Sequence, residues 1–191
     1  YSLIADTLSH ISLAGVAIGL ILKINPLLTA IVTTLVSSIV IERLRISKKI
    51  YGESALAIFL SGSLAIAIVL LSLAHGFTVD IFKYLFGSIV TVTQTDVTVI
   101  GIVGIVVLCA IIALYKELVY ITFDEESAQV SGIPTRRINL LFIALVGLTV
   151  SLAIPIVGIL LIGALIVIPV VSALQYKKSF LQTIMIAECI S

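Results

Sequence analysis

Charge is scarce in this chain: Asp, Glu, Lys and Arg make up 11% of its 191 residues, against ~25% in a soluble globular domain. With 61% hydrophobic residues and a mean hydropathy of +1.33, a chain this short has no interior large enough to hide its apolar side chains from water. The bilayer must be the solvent for most of it. Cysteine is as sparse. Cys109 and Cys189 both sit in apolar runs with no C-x-x-C spacing, which excludes a disulfide framework and reads as two small buried hydrophobes. No HExxH, GxSxG, Walker A or SxxK sequence occurs, so no catalytic residue is expected, and any ATP hydrolysis belongs to another chain. No basic stripe of the kind that nucleic acid requires is present. The chain opens on Tyr1, not Met, and closes in an apolar run, 180–191, too short to span. The expectation is an internal piece of a longer protein, cut at both ends.

What is present is a series of apolar stretches near the ~20 residues that cross ~30 Å of hydrocarbon. Six are read, at 3–22, 27–41, 54–74, 97–115, 139–154 and 155–176, and a seventh is cut short. The 23–26 turn puts Pro26 at the first position of the second helix. Residues 75–95 are less regular, and their short apolar piece, 81–90, broken at Gly87, predicts a partial or re-entrant helix. The whole reads as one all-α, polytopic transmembrane bundle over 1–191. Small-residue pairs (Gly15/Gly19, Ser61/Ala65, Gly158/Gly163), with Gly101 and Gly104, read as helix-packing surfaces.

Nine of the eleven basic residues fall in three loops: Arg43, Arg45, Lys48 and Lys49; Lys116, Arg136 and Arg137; Lys177 and Lys178. Alternation of the spans puts these loops on one side, which the positive-inside rule makes cytoplasmic. Only Lys23 and Lys83 remain outside.

A charge inside hydrocarbon is costly and marks function by default. Asp6 and Glu188 are the two that lie well inside spans, and Glu188 is in the incomplete one. His10 follows Asp6 by four residues, which puts both side chains on one helical face. A carboxylate and an imidazole so paired suit a divalent transition metal such as zinc or manganese. The spacing equally allows a structural Asp–His hydrogen bond or a proton relay. Ala14 and Ala17 continue that face and are small enough to leave a cavity; Gly15 and Gly19 lie opposite, available for packing. His75, Asp80, Gln94 and Asp96 read as solvated groups at the outer ends of spans. Glu188 beside Cys189 is a weaker candidate ligand pair.

The loop 116–137 carries a second signal. Asp124 can cap a short helix, Glu125 and Glu126 favour its start, Gly132 can close it and Pro134 stops it. This predicts about two turns of helix outside the bilayer, either a plain connector or a docking element for a cytoplasmic partner.

Three segments together resemble the membrane permeases of zinc/manganese-type ABC importers, the ABC-3 family. Asp6-Thr7-Leu8-Ser9-His10 through Ala17 looks like the family's D-x-L-S-H-x-x-L-x-G-V-A pattern. Phe123 to Ala128 with Gly132 is similar to its F-D-x-E-x-A-x-x-x-G loop. Val157 to Leu161, Ala164, Leu165 and Pro169 resemble its V-G-x-L-L-x-x-A-L-L-x-x-P stretch. The resemblance implies a type II ABC importer-like fold in a prokaryotic plasma or inner membrane. It implies that Asp6 and His10 coordinate the transported Zn²⁺ or Mn²⁺, with no permanently bound cofactor. It makes about 123–134 the coupling segment, with Asp124, Glu125, Ala128 and Gly132 matching the motif. The implied partners are a cytoplasmic ATP-binding subunit, a second permease copy, an extracytoplasmic metal-binding protein and membrane lipid. A permease for a siderophore or cobalamin, and a proton-coupled secondary transporter, are the alternatives; a membrane enzyme is disfavoured by the missing motifs.

Overall fold

The fold is that of a computed structural model, which describes residues 2–47, 52–73, 84–88 and 94–191. Among these the secondary structure is helical: α1 Ser2–Leu22, α2 Pro26–Ile46, α3 Gly52–Leu73, α4 Gln94–Ala113, α5 Tyr115–Phe123, α6 Glu125–Val130, α7 Thr135–Val157, α8 Ile159–Leu174 and α9 Phe180–Ile190. Helices α1, α2, α3 and α7 are each long and apolar enough to cross a membrane. Helices α4 and α5 qualify only as a pair bent by 62°. The protein is a multi-pass membrane protein.

Helix α1 is the axis, in contact with α2, α3, α7 and α8. Its burial follows from its sequence. Leu8, Leu13, Val16 and Ala17 supply apolar faces, and Thr7, Ser9 and Ser12, all fully buried, return their hydroxyls to hydrogen bonds. Gly15 and Gly19 let α2 come close: a Cβ on Gly15 would lie 2.7 Å from the Ala30 Cα, and one on Gly19 2.8 Å from the Pro26 Cα. Without a hydrophobic force between helices in lipid, such close approach is what holds them together. Asn25 caps α2 by accepting from the Leu27 N–H at 3.0 Å, with Pro26 next in line.

Several sequence expectations shift. Helix α2 runs on to Ile46 through the expected start of a loop, because Arg45 neutralises Glu42 one turn back. The expected long polar loop from Lys116 is helical as α5, whose Leu118 and Ile121 pack against Ala128 and Ile138. The break between the last two spans falls at Gly158, not at Pro155, which stays inside α7. Gly158 has φ +82°, a backbone conformation that side chains resist, and it abuts Gly87 backbone to backbone. There the helical residues 84–86 reach the core, with Tyr84 and Leu85 packed on the buried cluster that holds Ile154 and Ile159. The Ser88 N–H donates to the Pro155 carbonyl at 3.1 Å. Helix α8 has 16 residues, shorter than a full span.

Cys109 and Cys189 are exposed, on outer faces of α4 and α9 that no described neighbour covers. Gly101 and Gly104 likewise have no described atom within reach of an added Cβ. On α3 the buried small residues are Ala55, Ser63 and Ala67, while Ser61 and Ala65 face outward. His75, Asp80, Lys48, Lys49 and Lys83, and the side chain of Asp96, lie outside the described residues, as do 81–83 and 89–90.

Candidate functional site

Asp6 and His10 occupy successive turns on one face of α1. The His10 Nε2 lies 3.8 Å from the Asp6 Oδ1, and the side chains are 20% and 41% exposed respectively. That is too long for a hydrogen bond. It is near the separation of two donors sharing one ion at about 2.0–2.2 Å each. The other ring nitrogen, His10 Nδ1, is buried and has no hydrogen-bond partner among the described residues. A buried polar atom without a partner costs about 1–3 kcal/mol, so a ring held this way is available to a ligand.

The wall facing Asp6 is α8. A Cβ added at Gly163 would lie 3.2 Å from the Asp6 Oδ1, so the carboxylate occupies the space that this glycine leaves. The expected open face beyond His10 is closed: Ala14 and Ala17 are buried against Ala67 and Leu71 of α3. Their small size serves close packing rather than a void. Glu188 is exposed on α9, and no group of three or more His, Cys, Asp or Glu side chains converges on one point among the described residues.

Of the four motif residues, Ala128 is buried and Glu125 half-buried, while Asp124 and Gly132 are exposed at the two ends of α6. The Asp124 carboxylate accepts from the Ser127 N–H at 2.9 Å and from its hydroxyl. Those donors hold its pKa below the ordinary carboxylate value. Ala128 is fully buried against Ile121 and Ile138. Gly132, at φ +84°, donates to the Gln129 carbonyl and ends the helix. Glu125 turns inward: its Oε1 accepts from Arg45 Nη2 at 3.3 Å and from Asn139 Nδ2 at 3.1 Å. Outward face Glu126, Gln129 and Val130, the last 90% exposed, with Phe123 beside them at 73%. The motif alone did not mark this face; the helical spacing of Glu126, Gln129 and Val130 was the available signal.

The model of the ABC 3 transport family matches residues 1–191. The chain is 33% identical over 174 residues to the high-affinity zinc uptake system membrane protein ZnuB of Haemophilus influenzae, covering 91% of this chain and 67% of that one. It is 35% identical over 189 residues to the manganese import system permease protein ScaB of Streptococcus gordonii, covering 99% and 68%. Among solved structures it resembles PsaBC from Streptococcus pneumoniae in complex with Fab, with a TM-score of 0.79, 33% identity, and coverage of 97% of this chain and 67% of that one.

Proposed function

The chain belongs to the ABC 3 transport family as a membrane permease rather than an enzyme, and from that premise we propose that it forms the transmembrane path of an ATP-driven importer of zinc or manganese ions. The carrying observation is the Asp6–His10 pair, two metal-type donors 3.8 Å apart with a buried, unpartnered ring nitrogen. On this reading a metal-binding protein delivers the ion at the outer face. Asp6 and His10 then replace part of its hydration shell. Two protein ligands leave coordination incomplete, which lets the ion move on, whereas a closed tetrahedral cage would retain it. The close packing of Ala14 and Ala17 favours a bare ion over a bulky chelate.

ATP hydrolysis is assigned to a separate cytoplasmic subunit docking on α6, and a second permease copy completes the pathway. Phe123, Glu126, Gln129 and Val130 are the exposed surface for that docking. X-ray absorption at the zinc edge of the loaded transporter tests the ion site. An imidazole contribution present in the native protein and lost in His10→Ala is expected. Its persistence at full strength in His10→Ala would rule His10 out as a ligand.

A further inference from the structure

Helix α6 packs on the bundle through Ala128, and its Glu125 is tied to α7 by the Asn139 amide and to α2 by the Arg45 guanidinium. Arg45 binds both oxygens of Glu42, through Nε at 3.1 Å and Nη2 at 3.3 Å, while the same Nη2 reaches Glu125 at 3.3 Å. Glu42 is 2% exposed and Asn139, the second donor to Glu125, 3%. One cation thus bridges a buried carboxylate on α2 and a half-exposed one on α6, beside a cavity of about 380 Å³ that also touches Ile4 of α1. Removing that cation would leave Glu42 buried without its charge partner, the costly way to break such a group.

Above the bridge α2 carries a buried polar stripe. Thr34, Ser38 and Glu42 are spaced by four, and all are buried. The Ser151 hydroxyl of α7 donates to Thr34 Oγ1 at 3.1 Å, and the Ser12 hydroxyl of α1 donates to Ser151 Oγ at 3.3 Å. Ser12 sits two residues beyond His10. Buried polar side chains therefore line one face of α2 from the Arg45 bridge to Thr34, where the Ser151 and Ser12 hydroxyls link it to the helix bearing Asp6 and His10.

We propose that Arg45 is the positioning residue that clasps α6 to α2, so that displacement of α6 is passed along α2 to α1 instead of being lost in a loose loop. This rests on the reading of α6 as the docking element. The test uses the full transporter with its ATP-binding subunit in vesicles, scoring metal imported per ATP hydrolysed and the ATPase retained by each variant. Arg45→Glu and Glu125→Arg should each lower that ratio about fivefold, the size of a partly exposed ion pair, with the ATPase still bound. The double variant R45E/E125R should restore most of it, because the arginine now on α6 faces both Glu42 and the new carboxylate. A merely structural role would not be rescued by exchanging the charges. If Arg45→Glu does not insert, Arg45→Gln gives the same readout. An unchanged ratio in the single variants, or a double variant no better than either, overturns the clasp. Failure of the docking reading looks different: Val130→Asp on the outward face would leave ATPase retention unaltered.

Discussion

Asp6 is held against a glycine, and that contact sets how much room the carboxylate has. Gly163→Val would push branched carbons into a space where even a Cβ comes to 3.2 Å of the Asp6 Oδ1. We expect it to slow metal uptake roughly tenfold, the scale of a modest overpacking cost, without loss of membrane insertion; uptake at the native rate in an inserted variant would contradict this. Asp124 supports a pH prediction. Its pKa is lowered in the folded chain, so its capping contribution is complete above the ordinary carboxylate range and is lost as pH falls through the lowered folded value. Amide protection across 125–131, taken relative to the intrinsic exchange rate at each pH, should fall in acid in the native chain, and that fall should vanish in Asp124→Asn, whose side chain caps without titrating. An identical acid response in both would mean that another group controls α6.

At the scale of elements, the junction of α7 and α8 is tightly constrained. Gly158 combines φ +82° with backbone contact to Phe86 and Gly87. Gly158→Ala should destabilise by about 1–3 kcal/mol from the backbone conformation alone, read as a fall in unfolding temperature in detergent; no shift would mean that the junction relaxes freely. This element also shows how far the sequence could be read. A proline at 155 signalled an interruption, but its position depended on Gly87 arriving from a distant segment, which local pattern does not carry. The capped α6 was legible because Asp124, Gly132 and Pro134 act locally. Which way Glu125 and Ala128 face was not, since it depends on Arg45, Asn139 and Ile138 from other helices. The Asp6–His10 pair was legible from spacing four. The closure of the face beyond it by Ala67 and Leu71 was not, because small residues suit a void and a tight contact equally.

For the whole molecule, the charges described inside apolar helices are few, chiefly Asp6 on the central helix and Glu188 on α9, and such charges mark function by default. Helix α1 is gripped on several sides, by α2 at Gly15 and Gly19 and by α8 at Gly163, so movement of the surrounding helices must alter the space around Asp6 and His10. Filling Gly15 with leucine should separate α1 from α2 and impair transport of zinc and manganese alike, because it disturbs the path rather than ion selection. A variant that altered one metal only would show that this contact governs selectivity. The measurement that bears most directly on the account is the initial rate of radiolabelled zinc and manganese uptake by vesicles holding the complete transporter with Asp6→Ala or His10→Ala. Each inserted variant, with its ATPase bound, is predicted to lose uptake by at least about tenfold; native uptake of both metals in either variant would contradict a path through this pair.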